Sequence, residues 1–449
     1  MTGVAGQEDR LTYMDQASFL SLRAVGRALL GQLAWVYHHP VDYDGLRRFH
    51  DNFGHGLAGR LIEPSVLPFG RHRWVAASGP QADLDIAESP RPPEELGTWL
   101  DEQAQTPVDP EFGPGWRLAV QPMTDGSTAV SLVISHSLTD GLGLLLTVAD
   151  AANGKLRDFG YPPPASRTRR QALVADARQT VRDMPELGRT LVAAAKLFYR
   201  RRKDFVNAGA SRASVTPADK RDENVIVPTV ALFIPEDEWD ARANALGGNS
   251  YSLLAGFGSR LADRMGRHRP DGTVSLLVAM SDRAEDDTRA NAVTIANVVV
   301  DPVPVTSDLS GVRAAMKQGL QTMREVPDET FALLALTPFV PKRAVRRSAD
   351  VMFGDLPVSC SNLGQLDPAV GRPDGTDAEY FMLRAVDQNV TRDEIERVGG
   401  QLVVVSGRIG GKVTIGVVGY QNGGTNTSAA LRELAQQTLA EFGVAGEAI

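Results

Sequence analysis

The amino-acid sequence predicts an α/β fold built as two lobes that a basic helical segment joins. Three observations support this prediction. Short apolar runs typical of strands alternate with apolar residues at helical spacing in the first and in the last part of the chain. A triple proline at 162–164 separates these parts and precedes a strongly cationic stretch. With 449 residues, 43% of them hydrophobic, the chain is long enough for two cores.

These features divide the chain into a first lobe over residues 1–165, a basic helical linker or crossover over 166–224, and a second lobe over 225–449. No pattern recurs at a fixed period of about 20 to 50 residues, which argues against solenoids and propellers.

The first lobe begins with an apolar run at 30–37 that is typical of a strand or a helix end. Asp42 or Asp44 is suited to cap the helix that follows. Further along, apolar residues at helical spacing over 142–152 predict another helix, which Asn153-Gly154 ends.

A hairpin is the clearest strand pair in this lobe. Its strands are predicted at 117–123 and 128–136, and the turn between them contains Asp125-Gly126, a pair that favours tight hairpins. The second strand is apolar on both faces and is expected inside the sheet, whereas Pro122 places the first near an edge or at a strand end.

The linker is the cationic part of an acidic protein. It carries eleven Lys or Arg between Arg167 and Lys203 against three acidic residues, a local charge of +8, whereas the whole chain carries −8. Met184, Leu191 and Phe198 share one helical face. Two interpretations stay open: a basic amphipathic helix that contacts an anionic membrane through residues 184–203, or a crossover helix packed on the body of the protein.

The second lobe returns to mixed α/β patterning. Helices are predicted to begin at Pro235 and to span 252–265 and 428–442. Strands are predicted at 229–234, 274–281, 295–305, 357–361, 402–407 and 412–420, the last two as a hairpin.

Composition excludes several classes of partner and compartment. The net charge of −8 argues against nucleic acid as the main partner, because phosphate binding needs a cationic surface. The single cysteine, Cys360, cannot form an internal disulfide or a thiolate metal cage. No secretory leader and no apolar run of about 20 residues is found. We therefore expect a cytoplasmic protein, with peripheral membrane association left open.

Several catalytic motifs are excluded by their context. Residues 54–59 match G-x-G-x-x-G, but a predicted helix precedes them where a dinucleotide site needs a strand. The phosphate-binding P-loop and the G-x-S-x-G nucleophile elbow are absent from the sequence. His38 and His39 are adjacent, so a strand would point them to opposite faces, and no metal site is predicted.

One segment suggests catalysis. The apolar strand predicted at 128–136 ends in His136, and Asp140-Gly141 opens the next helix. A histidine fixed in such a turn can direct one ring nitrogen into a cavity, as a general base requires. Alternation along the strand places Ser135 and His136 on opposite faces.

The motif H-x-x-x-D-G, near the end of a first lobe, resembles that of the chloramphenicol acetyltransferase-like superfamily, which includes peptide-synthetase condensation domains. The wax ester synthase/diacylglycerol acyltransferase branch is the most similar. The chain has LTYMDQASF at 11–19, similar to that branch's L-S-P-L-D-x-x-F. It also has AMSDR at 279–283, ANVVV at 296–300 and SNLG at 361–364, which resemble P-V-S-x-R, G-N-x-x and S-N-V-P-G-P.

The resemblance implies two lobes with a tunnel between them and direct acyl transfer in that tunnel. His136 would be the general base. Asp140 would turn away from the cavity and pair with an arginine, for which Arg283 is the candidate, although a surface position for Arg283 is equally open. Gly141 would let the backbone turn closely past the site and supply an amide at a helix N-terminus.

Ser361, Asn362 or the Gly141 amide are candidates for stabilising the oxyanion. For Ser361 and Asn362 the alternative of an ordinary polar turn stays open. The chain departs from the family at Ser135, where most members have a first histidine, and at 363–365, which lack the proline of the S-N turn.

We therefore expect an O-acyltransferase that moves an acyl group from acyl-CoA or a carrier-protein phosphopantetheine thioester to a lipid-like alcohol. No other cofactor and no metal is predicted. An acyl carrier protein is a candidate partner. The alternatives are a catalytically silent, condensation-domain-like binding or scaffold protein and an amide-forming N-acyl condensation enzyme. The donor chain length, the acceptor and the oligomeric state are not predicted.

Overall fold

The structure is a computed structural model that describes residues 9–77, 79–210, 223–284, 286–325, 334–340 and 356–449, with the backbone alone for residue 25 and for 192–210. The described strands are β1 Ala28–Tyr37, β2 Arg60–Glu63, β3 Arg73–Ala76, β4 Asp85–Ile86, β5 Trp116–Pro122, β6 Thr128–Ser135, β7 Thr229–Pro235, β8 Val274–Ser281, β9 Val293–Val300, β10 Val358–Gln365, β11 Tyr380–Gln388, β12 Gln401–Ile409, β13 Lys412–Tyr420 and β14 Glu447–Ala448. The described α-helices are α1 Tyr13–Val25, α2 Tyr43–Phe53, α3 Leu96–Ala104, α4 Gly141–Ala152, α5 Arg169–Ala210, α6 Glu236–Ala245, α7 Ser250–Arg264, α8 Ser310–Glu325, α9 Arg392–Arg397 and α10 Ser428–Glu441.

The first lobe is built on a five-stranded sheet in the order β11-β1-β6-β5-β4, with β2 and β3 as a separate antiparallel pair. The predicted hairpin is confirmed as β5 and β6, with Pro122 at the end of β5. As predicted, β6 lies inside the sheet, between β1 and β5. The predicted cap of α2 is also present, because the Asp42 carboxylate accepts from the backbone N–H of Asp44.

The second lobe is built on a seven-stranded mixed sheet in the order β14-β7-β13-β12-β10-β8-β9. Strand β10 runs parallel to both β8 and β12, and the other neighbours are antiparallel. The extended run predicted for 295–305 is shorter in the structure, since β9 ends at Val300 and Pro304 begins a short 3-10 helix. Strand β10 is longer than predicted and continues to Gln365, with an irregular register between Asn362 and Gln365.

Strand β11 connects the two halves of the chain. No strand is predicted for this segment, yet it pairs with β1 from Ala28 opposite Gln388 to Val36 opposite Tyr380. The last part of the chain therefore completes the first sheet. Strands β11 and β13 approach so closely that a Cβ atom at Gly416 would overlap with the main-chain carbonyl of Leu383.

The predicted basic helix is present as α5. Its start is anchored to the first lobe by Asp176, whose fully buried carboxylate accepts from Arg10 at 2.8 Å, Arg167 at 2.9 Å and Ser65 at 2.7 Å. The crossover interpretation therefore holds for these first turns. The side chains of 192–210, which include Phe198 and the cations at 200–203, and all of 211–222 lie outside the described part of the chain.

No helix in the described ranges is both long and apolar enough to cross a bilayer.

Candidate active site

The segment that carries the motif begins at the end of β6, whose eight residues are all buried. Its side chains alternate as predicted, because Val130, Leu132 and Ile134 belong to one core cluster while Val133 belongs to another. His136 follows directly, and its backbone N–H donates to the carbonyl of Leu29 at 2.9 Å. The histidine is half-buried, and its ring makes no hydrogen bond with any described residue.

Asp140 is the N-cap of α4, and both of its carboxylate oxygens are used. Oδ1 accepts from the backbone N–H of Gly143 at 2.8 Å. Oδ2 accepts from Arg283 and from the backbone N–H of Ala292, each at 2.8 Å. The helix that begins with this motif is thereby tied to the loop that follows β8 in the second lobe, so the geometry gives Asp140 an architectural use.

Arg283 is buried, so the alternative of a surface arginine is wrong. Its side chain and that of Asp140 are each 1% exposed, and the two form the ion pair that the resemblance implies. The guanidinium also donates to the carbonyls of Arg289 and Ala290, both at 3.0 Å, and of Asp287 at 3.2 Å. Arg283 therefore hydrogen-bonds to the backbone of its own loop in the second lobe and to Asp140 in the first. The ion pair joins the two lobes close to His136 in the chain.

The glycine that the packing requires is Gly143 rather than Gly141. A Cβ atom at Gly141 would lie 3.5 Å from the nearest atom of Leu363, an ordinary contact, and Gly141 does not have a positive φ. The expected need for close backbone approach at Gly141 is therefore wrong. At Gly143, a Cβ atom would overlap with the hydroxyl of Thr139 and lie 2.9 Å from Arg283 Cζ.

A second buried arginine, which no sequence pattern predicts, supports the same loop. Arg60 on β2 is fully buried, and it donates to the carbonyl of Leu138 at 2.7 Å and to that of Thr288 at 2.5 Å. Its guanidinium lies 3.7 Å from the ring centroid of Trp74 and donates to the hydroxyl of Tyr161. Burial lowers the pKa of Arg60 below its ordinary value.

Asp15 gives the opening segment LTYMDQASF a structural use. This buried carboxylate accepts from the backbone N–H groups of Ala290 at 3.1 Å and Asn291 at 2.8 Å. It also accepts from the side-chain amide of Asn291 at 3.1 Å. Asp15, Arg60 and Asp140 therefore hold the loop at 282–292 from three sides, and all three belong to the first lobe.

Solved structures share this architecture. The chain matches the wax ester synthase/diacylglycerol acyltransferase from Marinobacter aquaeolei VT8 with a TM-score of 0.57 at 14% identity, over 97% of this chain and 98% of that one. It matches the trichothecene 15-O-acetyltransferase TRI3 from Fusarium sporotrichioides with a TM-score of 0.59 at 12% identity, over 96% and 94%. For the first condensation domain of the CDA synthetase, the TM-score is 0.54 at 14% identity, over 99% and 100%.

The chain has the two-lobed chloramphenicol acetyltransferase-like fold. The predicted fold class is thereby confirmed. No protein-family model and no curated protein sequence matches the chain.

Within the chloramphenicol acetyltransferase-like fold, the structure places Ser361 and Asn362 on β10 rather than in a separate turn. The Asn362 side-chain carbonyl accepts from the backbone N–H of Gly364 at 2.9 Å, and Gly364 has a positive φ of 70°. Leu363 packs on the core of the first lobe and faces Gly141. The SNLG segment therefore reaches the H-x-x-x-D-G motif from the second lobe.

A small cavity lies beside the motif, between α4 and the loop at 282–292. Its lining includes Asn52, Leu146, Asp150, Arg157 and Arg283. His136 is not among its lining residues, so this cavity is not the tunnel that the resemblance implies. Among the described residues, no group of three or more His, Cys, Asp and Glu side chains is arranged to hold a metal ion.

Proposed function

We propose that this protein is an acyltransferase that moves an acyl group from a thioester to a hydroxyl acceptor, with His136 as the general base. The fold supports the reaction class, since it is shared with proteins named as acyltransferases and with a condensation domain. The thioester would be acyl-CoA or the phosphopantetheine of a carrier protein, and the acceptor a lipid-like alcohol. No metal and no further cofactor takes part in this proposal.

The observation that carries the proposal is that the Asp140 carboxylate is fully hydrogen-bonded within the protein whereas the His136 ring is not. Asp140 has both oxygens occupied by structural hydrogen bonds. His136 is fixed through its backbone, while its half-buried ring has no hydrogen-bond partner among the described residues. A general base needs a ring nitrogen that no protein group occupies, because that nitrogen must accept a proton from the substrate.

In the proposed step, the neutral His136 ring removes the proton from the acceptor hydroxyl while the hydroxyl oxygen attacks the thioester carbonyl carbon. The new C–O bond forms, and the C–S bond breaks as the tetrahedral intermediate collapses. His136 then returns the proton to the departing thiolate. The products are an ester and a free thiol, and the protein forms no covalent intermediate.

The developing negative charge on the carbonyl oxygen needs hydrogen-bond donors. The amide of Gly141 lies in the first turn of α4, where backbone N–H groups have no intrahelical acceptor and negative charge is stabilised. Asn362 uses its side-chain carbonyl locally, which leaves its NH₂ group as a second candidate donor. Ser361 stays a candidate on position alone.

Release of free thiol tests the proposal. The purified protein is mixed with acyl-CoA esters of several chain lengths and with alcohols and amines, and thiol formation is followed with a chromogenic reagent. We expect His136→Ala to abolish release from the pair that the wild type uses. His268→Ala is the matched control, because His268 is exposed and lies outside the motif. Undiminished turnover by the His136→Ala variant would refute the role of His136.

The second candidate is a binding or scaffold protein, and the observation that favours it is Ser135 in place of the family's first histidine. Ser135 is buried, and its hydroxyl accepts from the backbone N–H of Ser137 at 3.3 Å. Calorimetry with a non-hydrolysable acyl-CoA thioether separates the candidates. Tight binding together with no thiol release, over the whole panel and with acyl carrier protein donors as well, would favour the binding protein.

A further inference from the structure

The exposed side of α5 carries an unusual set of large apolar side chains. They are Leu173, Val174, Val181, Met184 and Leu191, which are between 43% and 64% exposed. We call them the α5 patch. Isolated apolar residues on a surface are common, but a contiguous set of this kind marks an interaction site.

Helical geometry places the α5 patch on one stripe. With 3.6 residues per turn, the five positions fall within about a third of the helix circumference. The side that carries Asp176 packs on the first lobe, where its carboxylate is buried. Arg178, Arg182 and Arg189 follow the opposite border of the stripe. Going around α5, the side that packs on the first lobe is followed by the apolar patch and then by the arginines.

The apolar surface continues onto the body of the protein. The backbone N–H of Val66 donates to Asp176, and Val66 is 45% exposed. Phe69, in the same loop, stacks on Phe339 with ring centroids 5.5 Å apart, and both rings are more than 40% exposed. The 3-10 helix Leu334–Phe339 packs against α5. The surface thus has a broad apolar part formed by three separate segments.

Charge identifies the partner. Residues 167–203 carry a net +8, while the rest of the chain carries −16. Arg178 and Arg182 are exposed and form no ion pair with any described residue. A second copy of α5 would bring these cations against each other, whereas an anionic surface would neutralise them.

We propose that the α5 patch and its arginine border dock the protein on an anionic lipid bilayer. The apolar side chains would enter the boundary between headgroups and acyl chains, and the arginines would bind the headgroup phosphates. The helix would lie along the surface of the bilayer without crossing it. Because the rest of the chain carries a net charge of −16, the attraction to an anionic membrane comes from this helix.

Vesicle co-sedimentation of the full chain tests the proposal without reference to turnover. The vesicles are phosphatidylcholine alone or phosphatidylcholine mixed with phosphatidylglycerol. We expect binding to the mixed vesicles and a loss of affinity of about thirtyfold for the Arg178→Gln/Arg182→Gln variant at low salt. The Val181→Ser/Met184→Ser/Leu191→Ser variant should lose at least about tenfold on the same vesicles.

Two matched controls make the same chemical changes elsewhere. Arg47→Gln/Arg48→Gln removes two exposed cations from α2, and Val303→Ser removes a valine that is 74% exposed. Neither should change binding. Equal binding by all variants, or no binding to either vesicle, would refute the proposal. So would a concentration-dependent dimer in sedimentation velocity that the serine variant abolishes.

A site-specific label gives an independent measurement. Cys360 is the only cysteine, it is buried, and burial raises the pKa of its thiol to about 12, so it stays unreactive. Met184→Cys labelled with an environment-sensitive fluorophore should shift its emission to the blue when mixed vesicles are added. Val303→Cys should not shift. Identical spectra with and without vesicles at both positions would contradict the insertion of α5.

Discussion

The protein uses arginine in two opposite ways, and the comparison separates what holds the site from what meets the surroundings. Arg60 and Arg283 are buried, and each binds groups from both lobes around the H-x-x-x-D-G loop. Arg178 and Arg182 are exposed on α5 and form no ion pair with any described residue. The first two arginines stabilise the fold around the motif, and the second two are available to bind a partner.

The difference follows from the cost of burying charge. A buried guanidinium is costly unless hydrogen-bond acceptors compensate it. The terminal N–H groups of Arg60 and Arg283 donate to such acceptors and fix their geometry, while the Nε of each has no partner among the described residues. An exposed guanidinium keeps its hydration and fixes nothing in the fold. Substitutions at the buried arginines should therefore change stability, whereas substitutions at the exposed ones should change binding alone.

The largest effect is expected when the buried ion pair is broken. Arg283→Met leaves the Asp140 carboxylate without its cation, in a place where both side chains are 1% exposed. We expect the free energy of unfolding to fall by about 3 to 5 kcal/mol in urea denaturation. Arg47→Met is the control, since its pair with Asp44 is exposed and should contribute less than about 1 kcal/mol. Equal losses in the two variants would contradict the structural use of Arg283.

Arg60→Met should have the next largest effect. It leaves the carbonyls of Leu138 and Thr288 buried without their donor, and we expect a loss of about 2 to 3 kcal/mol in the free energy of unfolding. Because Leu138 lies two residues from His136, we also expect kcat to fall more than KM rises. Arg60→Lys should restore part of kcat. An unchanged kcat in the folded Met variant would show that Arg60 supports the fold without positioning the loop.

Whether a site residue could be predicted from the sequence depends on how close its interaction partners lie in the chain. His136, Asp140 and Gly141 could be identified because the strand, the turn and the helix N-cap lie within one short segment. Arg283 became a candidate through a resemblance, since nothing near it in the chain points to Asp140. The contacts that Arg60 and Asp15 make with the 282–292 loop join residues 228 and 275 positions apart, and neither residue has a local pattern that shows them.

Strand β11 has no local sequence signature either. Its residues are compatible with a strand, but its partner is β1 at the other end of the chain, and pairing across that separation leaves no sequence signature. The exposure of the α5 patch could not be predicted from the sequence either. An apolar stripe at helical spacing predicts a buried face, whereas the buried residues Ala172, Asp176 and Thr190 show that the other side of this helix is covered.

A smaller effect distinguishes two glycines within the motif helix. Gly143→Ala places a methyl group against Thr139 and Arg283, and we expect a loss of about 1 to 2 kcal/mol in the free energy of unfolding. Gly141→Ala meets only Leu363 at an ordinary distance and should change stability by less than about 0.5 kcal/mol. Thermal denaturation of the two variants side by side measures the difference. The reverse order would mean that the close approach occurs at Gly141 after all.

The smallest effect on stability is expected at the exposed arginines. Arg178→Gln/Arg182→Gln removes two cations that bind no described residue, so the free energy of unfolding should change by less than about 0.5 kcal/mol in urea denaturation. Removing like charges from a cationic helix also relieves repulsion, so we expect a small gain in stability rather than a loss. A loss of more than about 1 kcal/mol would show that these arginines hold the fold as Arg60 and Arg283 do. A stable variant that no longer binds anionic vesicles would instead assign them to the surface alone, because the same substitution would then separate binding from folding.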